Sequence, residues 1–195
     1  MDERLKQAQT VIFDIGSVLV DFDIEKIAQQ MLPKRLVKYI HEPFFIEQWL
    51  KLDDGSVTSF DSSRLVCEKF NLKGDEDLFQ NIMDNFCEVC PPLPLASSIP
   101  ELKAAGKKVY LLTNYGDVSF ARSKNHYSFL QEVDGEVVSA RVKTVKPEDE
   151  IYKILLDRYD IDPTTAVYLD DRLENIQAGR KFNLESIWYP SEYVE

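Results

Sequence analysis

Thr10-Val11-Ile12-Phe13-Asp14-Ile15-Gly16-Ser17-Val18-Leu19-Val20-Asp21 is the stretch on which the fold turns. An apolar, β-branched run reads as a short strand over residues 10–14, and a glycine two residues past the aspartate opens a turn. A carboxylate at the carboxyl end of a short apolar strand belongs at the crevice of an open α/β sheet. Two later runs repeat the pattern. Val109-Tyr110-Leu111-Leu112 ends in Thr113-Asn114, and Ala166-Val167-Tyr168-Leu169 ends in Asp170-Asp171. Lys146-Pro147 stands between them, just ahead of a helical pattern.

Between Asp21 and Pro92 the apolar period lengthens to that of helices. Asp23 is placed to cap a helix carrying Ile24, Ile27, Ala28 and Met31 on one face, stopped before Pro33. Leu36, Val37 and Ile40 mark a second helix, and Phe45, Ile46, Trp49 and Leu50 a third, closed by the turn Asp53-Asp54-Gly55. Phe60, Leu65, Val66 and Phe70 mark a fourth, and Leu78, Phe79, Ile82, Met83, Phe86 and Val89 a fifth. These stripes are expected to form the core of a helical bundle. Cys90-Pro91-Pro92-Leu93-Pro94 is a stiff, extended connector.

Beyond it strands and helices alternate. A helix opens on the capping-box spacing of Ser98 and Glu101 and stops at Gly106. Strands are expected near 109–113, 137–138, 166–169 and 186–189, with helices near 118–124, 148–159 and 173–182 between them. This order predicts an α/β fold, a doubly wound parallel sheet with helices on both faces and a small all-helical insertion. Residues 1–20 and 93–195 then build the sheet unit, and residues 21–92 the insertion.

The 195 residues are enough for one such unit with its insert, and 44% hydrophobic content supplies a core. A net charge of −11 argues against nucleic acid and anionic membrane as partners, which need a basic face. It does not exclude a small anionic substrate beside a divalent cation. The polar start of the chain lacks the apolar segment of a secretory signal, so a cytoplasmic setting is expected. Cys67, Cys87 and Cys90, an odd number, read as free structural thiols, because Cys87 and Cys90 have no second pair for zinc. His41 and His126 lie far from the strand ends in the sequence and read as surface or core residues.

In a parallel sheet all strand tips share one edge, so Asp14, Thr113 and Asp170-Asp171 should converge. A dianionic phosphate monoester cannot be approached by a carboxylate without compensating charge. Mg²⁺ is the hard cation suited to one or two carboxylates plus phosphate and water. Asp14 and Asp171 are the candidate metal carboxylates, and the Gly16 carbonyl a third oxygen. Lys146 adds a cation, and Thr113 and Asn114 offer hydrogen bonds to phosphoryl oxygens. Asp14 can then attack phosphorus and form an aspartyl phosphate. Asn175, one helical turn past Asp171, is placed to support Asp170 and Asp171.

Taken together, these segments resemble the four motifs of the haloacid dehalogenase superfamily, in its phosphatase-rich branch with a helical cap. Val11 to Leu19 matches the first motif, Val109 to Asn114 the second, Lys146-Pro147 the third, and Val167 to Asp171 with Asn175 the fourth. The resemblance implies a HAD-like Rossmannoid core with the insert as cap, Asp14 as nucleophile and metal ligand, and Gly16 and Asp171 as further Mg²⁺ ligands. It also implies Thr113, Asn114 and Lys146 as phosphate ligands, with Lys146 as part of the catalytic machinery. The expected activity is Mg²⁺-dependent hydrolysis of a small phosphorylated metabolite.

One departure stands out. Most phosphatases of the superfamily carry an aspartate two residues after the nucleophile, as general acid and base. Here that residue is Gly16, as in the branch that resembles sugar-1-phosphate phosphatases. A sugar phosphate is therefore one expected substrate. A bound water, a good leaving group or a residue of the cap would have to supply the missing proton transfer. Two alternatives follow: a slow or non-catalytic phosphate-binding protein, and a haloacid dehalogenase-type hydrolase, against which the acidic pair Asp170-Asp171 argues. Trp49, Lys51 and the 53–55 turn are the candidate substrate contacts on the insert.

Overall fold

Val11 and Phe13 project from one face of the first strand and Ile12 from the other, and all three are fully buried. Such a strand must be covered on both sides, which is the arrangement of a parallel sheet. The computed structural model describes residues 1–194. Its strands are β1 (Thr10–Phe13), β2 (Lys108–Thr113), β3 (Gly135–Val138), β4 (Ala166–Asp170) and β5 (Glu185–Trp188). They pair in parallel in the order β3-β2-β1-β4-β5. The chain moves outward on one side of β1 and later returns to its other side, so the strand order reverses between β1 and β4, where ligands bind in open α/β sheets.

The helices are α1 (Glu3–Gln7), α2 (Ile24–Met31), α3 (Lys34–Val37), α4 (Pro43–Asp53), α5 (Ser59–Phe70), α6 (Glu76–Asn85), α7 (Ser98–Ala104), α8 (Asp117–His126), α9 (Ser139–Val142), α10 (Asp149–Tyr159) and α11 (Leu173–Arg180). The insertion comprises α2 to α6. Its two connections to the sheet unit run side by side: Asp21 N–H donates to the Pro91 carbonyl at 2.9 Å and Leu93 N–H to the Leu19 carbonyl at 2.9 Å. Phe79, Ile82 and Met83 of α6 join the same apolar cluster as Val11 and Phe13, and α6 packs against α8. The insertion thus shares the core of one sheet face.

Asp23 caps α2 as its position suggests, accepting from the amides of Glu25 and Lys26 at 3.1 and 3.2 Å. Other details depart from the sequence reading. Ser98 does not form a capping box; its hydroxyl donates back to the Leu95 carbonyl at 2.7 Å, because a turn of 3₁₀ helix runs directly into α7. The apolar stripes on α4 and α5 are wider than the buried face. Phe45 and Leu52 are buried, whereas Ile46, Leu50, Phe60 and Leu65 are 40–57% exposed. Among the described residues no helix is long and apolar enough to cross a membrane. Cys67, Cys87 and Cys90 are free and buried, and burial pushes the Cys90 thiol up to about 12.

Candidate active site

The site begins with one backbone hydrogen bond. Asp14, the first residue past β1, donates its N–H to the Leu169 carbonyl of β4 at 3.0 Å. The last rung of the β1–β4 ladder therefore sets Asp14 beside Asp170. Two adjoining cavities open at this edge. A small one of about 110 Å³ is lined by Asp14, Gly16, Thr113 and Asn114, and a larger one of about 430 Å³ by Asp14, Gly16, Asn114, Lys146, Asp171 and Asn175. All the residues expected at the site meet here, Asp170 standing just beneath.

Lys146 organises the acids. Its ammonium lies 2.6 Å from Asp170 Oδ2 and 3.0 Å from Asp14 Oδ1, with 1% of its side chain exposed. Burial by itself would pull the Lys146 ammonium down; the two carboxylates more than offset that, and the net direction is up. Burial raises the Asp14 carboxyl to about 6, with the Lys146 charge opposing the rise. Asp14 is thus held beside a buried cation that opposes the effect of its own burial.

Asp170 has no lone pair left for another ligand. Oδ2 accepts from Lys146 and from the Tyr168 hydroxyl, and Oδ1 accepts from Arg172 N–H and Asn175 Nδ2, both at 2.9 Å. Asn175 therefore supports Asp170; no hydrogen bond joins it to Asp171. Asn114 has a similar supporting geometry: Nδ2 donates to the Lys146 carbonyl at 3.0 Å and Oδ1 accepts from Lys146 N–H at 2.8 Å. Its amide holds the lysine's backbone instead of pointing free into the cavity. Thr113 is buried at the tip of β2 and lines the small cavity.

Asp14, Asp170 and Asp171 offer oxygens that all lie within 4.8 Å of one another. The Asp171 carboxyl is raised by burial and then by its neighbour Asp170, and its own backbone N–H opposes the rise. Asn175 Oδ1 is buried without a protein donor. A carboxylate pair and a spare buried acceptor for a coordinated water fit a small hard dication. Asp14 and Asp171 are side chains that could hold it, and Gly16 lines the same cavity.

The far wall of the small cavity comes from the insertion and β2's exit. Phe22, Trp49, Leu52, Met83, Phe86 and Tyr115 make it apolar. Phe22 meets Phe86 edge-on at 5.4 Å and Trp49 at 6.0 Å. Asp53, the last residue of α4, is the one carboxylate that the insertion contributes to both cavities. Burial, then the negative charge of Asp14, pushes its carboxyl up to about 7. The sequence reading weighed this turn only as a substrate contact. The available signal was an acidic turn in the insert together with the missing acid at Gly16. Lys51, by contrast, pairs with Glu47 on the surface at 2.6 Å.

The chain is 26% identical over 172 residues to a sesquiterpene phosphatase of Aspergillus oryzae, covering 88% of this chain and 85% of that one. It is 19% identical over 193 residues to an (S)-2-haloacid dehalogenase of Pseudomonas putida, covering 94% and 85%. A HAD family enzyme of Bacteroides thetaiotaomicron, solved in complex with magnesium and inorganic phosphate, superposes with a TM-score of 0.69 at 20% identity over 92% of each chain. The family model of the haloacid dehalogenase-like hydrolases matches residues 8–183, and the chain belongs to that family.

Proposed function

We propose that this hydrolase is a Mg²⁺-dependent phosphatase of small phosphate monoesters, acting through an aspartyl phosphate on Asp14. The observation that carries this reading is the trio Asp14, Asp170 and Asp171 around one buried lysine. Three carboxylates and one ammonium leave an excess of negative charge, which a dianionic ester could not enter without a further cation. Asp14 and Asp171, with the Gly16 carbonyl as a third oxygen, would hold magnesium, which would supply that charge. Lys146 screens Asp14, so that its free oxygen can approach phosphorus. The Thr113 hydroxyl donates to a phosphoryl oxygen, and Asn114 keeps Lys146 in register. Asp170 and Asn175 brace the lysine and the start of α11. The insertion of residues 21–92 acts as the cap that covers the site and selects the leaving group.

The cap wall favours an apolar leaving group. Six large apolar or aromatic side chains face about 110 Å³, room for a short alkyl group or a small ring. A sugar would find few hydroxyl partners there. The sesquiterpene phosphatase relative is in keeping with an apolar ester.

The test is turnover of p-nitrophenyl phosphate with Mg²⁺. Hydrolysis that stops with a chelator, and with Asp14→Asn, supports the reading. Release of chloride from 2-chloropropionate without metal would instead favour the dehalogenase relatives. Binding of phosphate without turnover of any ester would make the chain a non-catalytic member.

A further inference from the structure

We propose that Asp53, from the inserted helices, is the general acid and base that the first motif lacks at Gly16. The inference rests on the phosphatase reading and adds a residue to it. Three observations carry it.

The first is position. Asp53 lines the small cavity with Asp14, Gly16 and Thr113, and also the larger one with Lys146 and Asp171. It therefore shares with Asp14 the cavity that would receive the leaving group of an ester attacked by Asp14. Asp54 borders the larger cavity alone.

The second is rigidity. The turn that ends α4 is clamped to the sheet unit. Ser139 Oγ donates to the Asp53 carbonyl, and Lys143 Nζ to the Gly55 carbonyl. Gly55 has φ +70°, and a Cβ there would come within 2.4 Å of the Ala140 carbonyl oxygen. Only glycine lets the turn approach this closely, so the carboxylate is aimed by the catalytic unit itself.

The third is chemistry. No other carboxyl of the insertion reaches the small cavity, and Gly16 cannot move a proton. Asp53's charged neighbours are Asp14, Asp54 and Lys146, and burial with the Asp14 charge brings its carboxyl to about 7. A carboxyl in this cavity can give a proton to a leaving oxygen and later take one from water, the two tasks of a general acid and base.

In the first step an Asp14 oxygen bonds to phosphorus while the P–O ester bond breaks. The bonding pair stays on the leaving oxygen, which takes the proton of Asp53 and departs as the alcohol. In the second step a water oxygen attacks phosphorus and gives its proton to the Asp53 carboxylate. The bond from phosphorus to Asp14 then breaks with its electron pair returning to the carboxylate. Inorganic phosphate leaves, and both residues regain their starting states.

The experiment compares kcat/KM for n-butyl phosphate and p-nitrophenyl phosphate, with Mg²⁺, in wild type, Asp53→Asn and Asp53→Glu. A butoxide leaving group needs a proton and a nitrophenolate hardly does. Asp53→Asn should lose about 100-fold or more on the butyl ester, within the range of general acid catalysis, and less than about 10-fold on the aryl ester. It should also release a stoichiometric burst of nitrophenolate, because the phosphoenzyme then waits for an unassisted water. Asp53→Glu should recover part of the butyl activity. Equal losses on both esters, or no loss on the butyl ester, would overturn the assignment of Asp53 and leave the phosphatase reading standing. A wild type that hydrolyses neither ester would overturn both.

Discussion

The Lys146 ammonium stands 3.0 Å from Oδ1 of Asp14, and only 1% of the lysine side chain and 11% of the aspartate side chain are exposed. The charge of Asp14 is therefore balanced from within the fold, by a residue some 130 positions later in the chain. Removing the cation leaves Asp14, Asp170 and Asp171 facing one another within 4.8 Å. Lys146→Met should cost about 3–5 kcal/mol of stability, the range for breaking a buried ion pair from one side. Urea unfolding at pH 7.5 with and without Mg²⁺ checks this, and the added cation should return part of the loss.

Asp171→Asn removes the carboxylate proposed to share the metal with Asp14. The fold should hold, and the Mg²⁺ concentration for half-maximal activity should rise by at least about 10-fold, the scale found even for outer-sphere partners. Asn175→Ala, which acts through Asp170, should move the same midpoint less. Titration of p-nitrophenyl phosphate hydrolysis against Mg²⁺ separates the two, and a larger shift for Asn175→Ala would contradict the assigned order.

Gly16 is not in the left-handed region, and a Cβ there would meet Phe22 Cβ at an ordinary 3.6 Å. Glycine is not needed by the backbone at this point, so Gly16→Asp should fold. Placed in the Asp53→Asn background, it should restore at least about 10-fold of the lost butyl phosphate activity, since acid catalysis is worth about 10²–10⁴-fold. Steady-state kinetics of the double variant decides it; no recovery would mean that a carboxyl at position 16 cannot reach the leaving oxygen past Phe22.

Gly55→Ala introduces a methyl group within 2.4 Å of a backbone oxygen at a positive φ. The turn must lift from α9, and Asp53 with it. Stability should fall by about 1–3 kcal/mol, as for other overpacked and conformationally strained sites. The butyl ester should suffer more than the aryl ester. Chemical denaturation and the two-substrate ratio test both parts.

In the metal-free protein, stability should depend on pH through Asp53. Its carboxyl rises from 3.8 to about 7 on folding. The folded state therefore binds the proton more tightly than the unfolded chain, and stability falls as pH rises between these values. The penalty is absent below the lower value and complete above the higher one. Asp53→Asn removes it, so the variant should be more stable than wild type at pH 8 by about 1–2 kcal/mol after allowance for solvent screening. The two should converge toward pH 4 to 5. Thermal melts in chelator across this range give the comparison.

The strand tips were legible because each is a local pattern: Val11 to Asp14, Val109 to Asn114 and Val167 to Asp171 are apolar runs that end in polar residues, and topology then requires them to meet. Asp23 as a helix cap was legible for the same reason. The inward faces of α4 and α5 were not. Ile46, Leu50, Phe60 and Leu65 extend the apolar stripes past what the sheet unit covers, and helical period alone does not say where cover ends. Nor did spacing show which acid Asn175 would hold; the structure pairs its Nδ2 with Asp170 Oδ1.

From the order of its residues alone, the chain determined a parallel sheet with an inserted helical segment and an edge bearing Asp14, Thr113, Lys146 and Asp171, because hydrophobic period and chain-end chemistry are local properties. Only the tertiary structure decided that Asp170 accepts four hydrogen bonds, that Asn114 serves the lysine's backbone, and that Asp53 lines the same cavity as Gly16. Those outcomes depend on side-chain direction and on the close approach of Gly55 to Ala140, and such distances between remote segments are set by packing.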